Sequence, residues 1–170
     1  MDSAARSAFI ERLGIYYESY GVPRIGGRML GLLLSAEEPV DAESIALDLG
    51  VSRASVSTNL RLLVGMGLAA KAPSPGSRRD RYDVAPDAWE RAIVQRIEGF
   101  SRLATIVTDC SAAVDEPAGG AATIPMAPTA VDAKLGAMLA WIALEKSSQE
   151  MALVDWKASM PPIAGKHGRP

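Results

Sequence analysis

The sequence predicts a mainly α-helical fold with one small β-hairpin. Apolar residues recur at the three- and four-residue spacing of amphipathic helices through most of the chain. Near the middle, two short helical patterns meet at Gly50, and two short strand patterns follow around a turn rich in proline and glycine. Two much longer helical patterns come after them. This order predicts a winged helix-turn-helix with long terminal dimerisation helices.

Composition narrows the classes of function. The chain has 170 residues, of which 48% are hydrophobic and 22% charged, as in soluble folded domains. No apolar run approaches the roughly 18 residues of a membrane span, and the first residues lack a secretory signal, so we expect a cytoplasmic protein without membrane contact. Cys110 and His167 are the single cysteine and histidine. We therefore expect neither an internal disulfide nor a Cys/His metal site, and no cofactor.

Charge is distributed unevenly along the chain. The formal net charge is -2, yet the segment from Val51 to Tyr82 contains six basic residues and one acid, a local charge of +5. DNA phosphates respond to local basic surface rather than to the total charge of a protein. This segment is therefore the candidate for contact with nucleic acid.

Residues 1–22 are predicted to form an amphipathic helix that serves packing or dimerisation. The apolar spacing places it from about Ser3 to Tyr20. Ser3 is the expected N-cap, and Gly21 is the expected stop because glycine readily adopts the left-handed conformation that ends helices.

Residues 23–85 are expected to form the DNA-binding domain. Its first helix is predicted from Arg24 to Ser35, with Pro23 in or near the first turn. Gly27 and Gly31 lie one turn apart in this helix, and the absence of side chains there lets another backbone approach closely.

The next two helices and their tight turn carry the functional pattern. Asp41 is the expected cap of a helix that ends at Leu49, and Gly50 fits the left-handed position after it. Ser52 is the expected cap of a second helix from Arg53 to about Gly65. The apolar residues that would bury the inner faces are Ile45, Leu49, Val51, Val56, Leu60 and Leu63.

The outward face of the second helix has an unusual composition. At about 100° per residue, Val56, Leu60 and Leu63 cluster within roughly 60°, which leaves the opposite side exposed. A solvated face is normally rich in glutamate and lysine, and that is the alternative interpretation of this helix hairpin. Small and hydroxyl side chains with one arginine instead suit entry into a major groove. These residues are Ala54, Ser57, Thr58 and Arg61.

A basic hairpin follows the two helices. Strands are predicted from Leu68 to Ala72 and from Arg81 to Val84, with a type II turn at 73–77. Such a wing suits contacts with phosphates or the minor groove, although solubilising charge is the alternative. The candidate DNA-binding residues of helix and wing are Ser52, Arg53, Ala54, Ser55, Ser57, Thr58, Arg61, Lys71, Arg78, Arg79 and Arg81.

The rest of the chain is expected to dimerise. The expected segments are a long helix at 86–114, a linker at 115–128, a C-terminal helix at 129–160 and a flexible tail at 161–170. Thr129 with Asp132 predicts a capping arrangement for the last helix. The apolar stripes of both helices are too wide for a lone winged domain to cover, which predicts a homodimer. Cys110 lies beside the first stripe, so we expect it to be buried; oxidant sensing is the alternative.

Four stretches between about residues 9 and 110 carry a family resemblance. They are ERLGIYYE at 11–18, GVPRIGGRMLG at 21–31, VSRASVS at 51–57 and PGSRRD at 75–80. Together they resemble the successive motifs of GbsR-type regulators, a branch of the MarR family. The resemblance implies a transcriptional regulator, with repression expected, that binds double-stranded DNA as a homodimer built from its terminal helices. The two winged domains would lie on the half-sites of a pseudo-palindromic operator.

The wing departs from the family pattern at one point. Many MarR wings have an acid before the paired arginines, whereas this chain has Ser77 there and Asp80 after the pair. The resemblance therefore makes Asp80 the candidate substitute for an acid that braces an arginine at the base of the wing.

The resemblance also implies a small-molecule effector. Some GbsR-like proteins respond to choline-type molecules, and a quaternary ammonium binds within an aromatic cage. Packing in the core or at the dimer interface is the alternative role for the aromatic residues. The candidates are Tyr16, Tyr17, Tyr20, Trp89, Trp141 and Trp156.

Two other classes of function fit less well. A winged-helix module for protein contacts would favour an apolar or acidic outward face on the helix from Arg53 to Gly65. An enzyme would need a glycine loop that holds phosphate, a set of metal ligands or an acid/base cluster, and the sequence has no such pattern. We therefore expect a DNA-binding regulator and not an enzyme.

Overall fold

The computed structural model describes residues 2–73, 79–115 and 129–159. Within them lie six helices and three strands: α1 (Ser3–Glu18), α2 (Arg24–Leu34), β1 (Val40–Asp41), α3 (Ala42–Leu49), α4 (Arg53–Gly65), β2 (Ala69–Ala72), β3 (Arg81–Val84), α5 (Ala88–Asp115) and α6 (Ala130–Ser159). These residues form two compact units, one that ends at Ala92 and one that begins at Ile93. The fold is a winged helix-turn-helix with long helices, as predicted. The predicted turn at 73–77 lies mostly outside the described residues, and the predicted linker and tail lie almost wholly outside them.

Helices α1 and α2 pack closely because glycines lie where they cross. A Cβ atom on Gly27 would lie 2.8 Å from the Leu13 carbonyl oxygen, and one on Gly31 would lie 3.0 Å from the Ile10 Cα. The predicted close approach is therefore confirmed. The predicted N-cap is wrong: Asp2, not Ser3, accepts the capping hydrogen bond, 2.7 Å from the Ala5 nitrogen. Ser3 is instead the first helical residue.

The helix-turn-helix has the predicted boundaries. Asp41 caps α3, and Gly50 follows with a φ of 65° in the left-handed region. Ser52 caps α4 by accepting a hydrogen bond from the Ser55 nitrogen at 3.2 Å. The αL glycine turns the chain within three residues, so the cap of α4 follows directly on the end of α3.

The wing contains one strand more than the sequence analysis predicted. The sheet order is β1-β3-β2, and both pairs are antiparallel. In β1, Val40 pairs with Tyr82 and Asp41 with Arg81. The predicted two-stranded hairpin is thus part of a three-stranded sheet. A two-residue strand beside a proline leaves no alternating pattern in the sequence, which is why it was missed.

The first unit has a continuous apolar core. Helix α2 lies at its centre, with Met29, Leu30 and Leu32 fully buried. Contributions come from α1, α3, α4, β2 and the start of α5. The remaining members are Ile10, Leu33, Ile45, Leu49, Val56, Leu60, Leu63, Leu68, Ala69, Ala85 and Ala88.

In the second unit, an aromatic contact joins α5 and α6. The rings of Phe100 and Trp141 meet edge to face, with their centroids 5.7 Å apart. Val107 and Ile142 are the buried hydrophobic residues described there. Thr129 and Asp132 form the predicted capping arrangement, with the Asp132 nitrogen donating to the Thr129 hydroxyl at 3.2 Å.

The predicted burial of Cys110 is wrong. Its side chain is exposed, and neighbouring Ile106 is 64% exposed. Val107 is the residue of this turn that lies on the buried stripe, and Cys110 lies about 60° away from it around the helix. The covered stripe of α5 is therefore narrower than the apolar pattern in the sequence. No helix in the described part of the chain is long and apolar enough to cross a membrane.

Candidate nucleic-acid interface

The outward face of α4 contains small, hydroxyl and cationic side chains, and Leu62 and Val64 on the same helix are also exposed. Ala54, Ser57, Thr58 and Arg61 are all exposed, as the helical spacing predicts. Their role in DNA binding stays a prediction. Arg61 donates from Nε to the Ser57 carbonyl oxygen at 3.3 Å, so its guanidinium lies along the helix in the free protein. The Arg61 side chain can extend away from the helix once this weak hydrogen bond is broken.

The opposite face of α4 is fixed against the core. Val56, Leu60 and Leu63 are at most 3% exposed. Asn59 is buried beside them, and its Nδ2 donates to the Ser55 carbonyl oxygen at 2.9 Å. Sequence reasoning missed Asn59, although it lies at the edge of the arc that the three apolar residues define. This packing sets the rotation of α4, and thus which side chains face outward.

Two candidate residues on α4 lie at its N-terminus in different environments. Ser55 is half-buried, and its nitrogen is held by the Ser52 cap. Arg53 is 73% exposed and pairs with the Glu43 carboxylate. Glu43 lies in the first turn of α3 and was not among the predicted site residues. An acid after a capping aspartate looks like ordinary helix chemistry in a sequence, so nothing marked it.

The same carboxylate reaches the wing. Glu43 Oε2 lies 2.7 Å from Nη1 of Arg79, which is 67% exposed. Glu43 therefore contacts both the first residue of α4 and an arginine of the wing. Arg53, Arg79 and Glu43 also line an open depression of about 310 Å³ together with Asp41, Asp80, Tyr82 and Ala42.

Asp80 pairs with a lysine of β2. Its Oδ2 accepts a hydrogen bond from Lys71 Nζ at 2.6 Å, across the β2–β3 pair. This hydrogen bond, together with the negative charge of Asp80, raises the pKa of Lys71. Glu43, which comes from another element, is an acid that lies beside the wing arginine Arg79. Because Arg78 lies outside the described residues, the role of Asp80 as the substitute brace stays a prediction.

The other wing candidates divide into two cases. Arg81 is half-buried in β3, where its backbone pairs with Asp41 on one side and Ala72 on the other. Arg78 lies outside the described residues, as does Ser77. The exposed wing cations in the described part are thus Lys71 and Arg79.

Arg28 connects α1 with the helix-turn-helix. Its Nε lies 2.6 Å from Glu11 Oε1 on α1, and its Nη2 donates to the Leu49 carbonyl oxygen at 3.1 Å. Leu49 is the last residue of α3. Gly14 makes room for this side chain, because a Cβ there would lie 2.6 Å from Arg28 Cγ. The end of α3 is therefore tied to α1 as well as to the core.

Three of the six aromatic candidates for an effector site contact one another. The Tyr16 ring lies 5.4 Å from that of Tyr17 and 5.0 Å from that of Tyr20. Trp89 packs against the core of the first unit, and Trp141 packs on Phe100. An effector and its site stay a prediction.

The fold and this face together are those of a winged helix-turn-helix protein with a cationic helix and wing. Curated relatives belong to the same class. The chain is similar to the HTH-type transcriptional regulator MmpR5 of Mycobacterium tuberculosis, with 33% identity over 96 residues, 56% of this chain and 58% of that protein. It is also similar to the HTH-type transcriptional repressor OpcR of Bacillus subtilis, with 27% identity over 89 residues, 52% of this chain and 48% of that protein.

The similarity to relatives is partial in sequence and broad in structure. The chain spans about half the length of the curated relatives it matches. No protein-family model matches it. A solved crystal structure of a transcriptional regulator is similar over 91% of this chain and 99% of that one, with a TM-score of 0.72 and 26% identity. Homologues of this chain are thus transcriptional regulators and not enzymes.

Proposed function

We propose that this protein is a sequence-specific regulator of transcription that binds double-stranded DNA and represses, within the GbsR-like branch of the MarR family. The observation that carries the proposal is the exposed face of α4, where Ser57, Thr58 and Arg61 surround Ala54 without an acid among them. Small side chains let the helix lie deep in a major groove, and arginine and hydroxyl groups bond base edges there. Repression is supported by similarity to OpcR, which is named a repressor.

The wing supplies the second contact in this proposal. Arg79 and Lys71 are exposed cations on the sheet that follows α4. A flexible cation on a wing suits phosphates or a narrow minor groove, which fix the register of the protein on DNA but carry little base information. Helix and wing therefore have separable tasks.

We further propose that the regulator acts as a homodimer on a pseudo-palindromic operator. A two-fold dimer would place its two α4 helices about one turn of DNA apart, near 34 Å. The support is a stripe of exposed small and apolar residues along α6, spaced alternately by three and four residues. We call it the α6 stripe: Ala130, Ala133, Ala137, Ala140, Leu144, Ser147, Met151, Val154 and Ala158. This spacing is that of a helix seam that packs on another helix.

The test compares two arginine variants on two DNAs. Arg61→Ala should weaken binding to the preferred site by about 1 to 3 kcal/mol and have far less effect on random DNA, because a base contact is lost. Arg79→Ala should weaken both DNAs by similar factors. It should also reduce the salt slope by about 0.9 per lost phosphate contact, or twice that in a dimer. A salt titration of binding for wild type and both variants measures this, with the preferred site selected from a random library.

The outcomes show whether α4 and the wing have the proposed roles in DNA binding. Equal and salt-independent losses in both variants would contradict the division between a base-reading helix and a phosphate-reading wing. Absence of DNA binding by wild type at low salt would favour the alternative, a winged-helix module for protein contacts. Both arginines lie outside the core, so circular dichroism should show both variants folded.

A further inference from the structure

One carboxylate holds two of the candidate DNA-binding cations, the wing residue Arg79 and Arg53 of α4. Glu43 offers one oxygen to Arg53 and the other, at 2.7 Å, to Arg79. These three residues come from the first turn of α3, the first residue of α4 and the wing. The arrangement therefore lies where the helix-turn-helix and the wing meet, on the side from which a phosphate would approach Arg79 or Arg53.

Glu43 is one of two acids at the N-terminus of α3. It lies in the first turn of α3, where the helix dipole stabilises negative charge. Asp41, two residues earlier, caps the same helix end. The hydrogen bond from the Ser44 backbone is the main cause that lowers the pKa of its carboxyl, and the charge of Arg79 adds a smaller contribution. Arg79 thus faces two acids, and the pair of arginines does not present its full charge to DNA.

These ion pairs are too exposed to contribute much to folding. The side chains of Glu43, Arg53 and Arg79 are 46%, 73% and 67% exposed. Exposed pairs contribute about 0 to 1 kcal/mol each, because water screens them and the side chains lose freedom. A fixed negative charge beside a phosphate contact has a larger consequence for binding. It repels the phosphate. It also neutralises arginine charge that would otherwise displace the cations condensed on DNA.

We propose that Glu43 competes with DNA phosphate for Arg53 and Arg79 and thereby limits the affinity of the protein for DNA of any sequence. The inference rests on the proposed function. Phosphate contacts occur at preferred and random sites alike, so Glu43 lowers affinity for both. The ratio of the affinities for preferred and random DNA depends instead on the outward face of α4. Glu43 is in this sense a residue that sets the strength and salt dependence of binding, and not its sequence preference.

The test removes the charge of Glu43 and keeps its size. Glu43→Gln should tighten binding to both preferred and random DNA. One additional uncompensated cation per protomer should steepen the salt slope by about 0.9, which corresponds to roughly an eightfold gain per protomer at 0.1 M salt. The ratio of affinities for the two DNAs should stay the same within about twofold.

Asp48→Asn is the matched control. Asp48 lies on the same helix and is similarly exposed at 45%, but its side chain faces Arg6 of α1 at 4.0 Å. The control makes the same change in net charge without touching Arg53 or Arg79. Its affinity and salt slope should match those of wild type. Thermal melting of each variant corrects for any loss of folded protein.

A second set of variants tests whether Glu43 acts through Arg53 and Arg79. In a protein that carries Arg53→Ala and Arg79→Ala, Glu43→Gln should no longer tighten binding by more than Asp48→Asn does. The proposal is overturned if Glu43→Gln binds more weakly than wild type, because the acid would then preorganise the arginines. It is also overturned if Glu43→Gln equals Asp48→Asn in the wild-type background. Failure of wild type to bind DNA would instead refute the proposed function itself.

Discussion

The two units of this protein differ in how completely they bury their apolar residues. The winged unit has 14 buried residues in one cluster that draws on helices, sheet and the start of α5. In the described part of the helix pair, the buried hydrophobic residues are Val107 and Ile142. Hydrophobic burial is the main stabilising term in folding. The winged unit therefore carries its own core, whereas the described part of the helix pair buries few apolar residues.

Helix α6 has two sides that are suited to packing. Its covered side has the same spacing of three and four residues as its exposed side: Leu135, Leu139, Ile142, Lys146, Gln149, Leu153 and Trp156. On the exposed α6 stripe, Leu144, Met151 and Val154 are 70%, 65% and 67% exposed. A helix with two sides suited to packing is best covered by two neighbours. A second copy of the chain satisfies this requirement with the same surface on both protomers.

The largest expected effect tests this difference at the α6 stripe. The double variant Leu144→Glu/Met151→Glu should dissociate the proposed dimer. Burial of such a side chain contributes about 1.5 kcal/mol or more, and each change occurs in both protomers, so the loss is about 6 kcal/mol. That raises the dissociation constant about ten-thousandfold. Light scattering should show a monomer of 17.9 kDa for the variant and twice that mass for wild type.

The control adds the same charge beside the α6 stripe. Ala143→Glu/Ala152→Glu changes two exposed residues on the flanks of α6 and should remain dimeric. A monomeric wild type at micromolar concentration would contradict the comparison, because the helix pair would then be stable with its apolar side open. Dissociation of both double variants would point to repulsion in general and not to the α6 stripe.

The next effect concerns the winged unit alone. Gly27→Ala introduces a Cβ atom 2.8 Å from the Leu13 carbonyl oxygen and 2.9 Å from the Gly14 Cα, both backbone atoms of α1. Because backbone cannot rotate away, α1 must shift, at a cost of about 3 kcal/mol. Urea unfolding followed by circular dichroism measures the free energy.

Gly99→Ala is the matched control for the helix pair. Gly99 also lies within a helix, and outside the adjoining backbone of that helix no described atom lies within 4 Å of an added Cβ. The substitution should stabilise its unit by about 1 kcal/mol, because alanine favours helix more than glycine does. If Gly27→Ala were neutral, the crossing of α1 and α2 would be far more adaptable than a packed core.

The sequence predicted the parts that local chemistry determines. The caps at Asp41 and Ser52 and the left-handed Gly50 were correct because each depends on residues within three positions. Strand β1 was missed because it forms only through pairing with β3, and that partner lies about 40 residues away. Cys110 was misplaced because apolar spacing shows which residues suit burial, and not how wide a stripe the partner helix covers.

The candidate site shows the same division. The outward residues of α4 follow from helical periodicity, which predicted the exposure of Ser57 and Arg61. Glu43 was missed because its contacts join three elements that are separate in sequence. Asp80 was singled out for its place next to the paired arginines, and its hydrogen bond with Lys71 of β2 was not predicted. Long-range ion pairs depend on which distant residues meet in the fold, and local sequence patterns do not show this.

The smallest effect concerns the cap at the start of α3. The Asp41 carboxylate accepts hydrogen bonds from the Glu43 and Ser44 nitrogens at 3.0 Å and from the Ser44 hydroxyl at 2.9 Å. Asp41→Ala should cost about 1 kcal/mol at pH 7, whereas Asp41→Asn retains an accepting oxygen and should cost little. The hydrogen bond from the Ser44 backbone is the main cause that lowers the pKa of Asp41.

The lowered pKa of Asp41 determines how the stabilisation by this cap depends on pH. A carboxyl with a lower pKa in the folded than in the unfolded state stabilises the fold fully above its unfolded value, about 3.9, and loses this contribution as pH falls through the folded value. The difference in unfolding free energy between wild type and Asp41→Ala should therefore shrink between pH 7 and pH 3. The difference between Asp41→Asn and Asp41→Ala should stay constant, because neither side chain titrates. Urea titrations at both pH values measure these differences, in which all other titrating groups cancel. A wild-type difference that is independent of pH would mean that the neutral acid caps α3 as well as the carboxylate does.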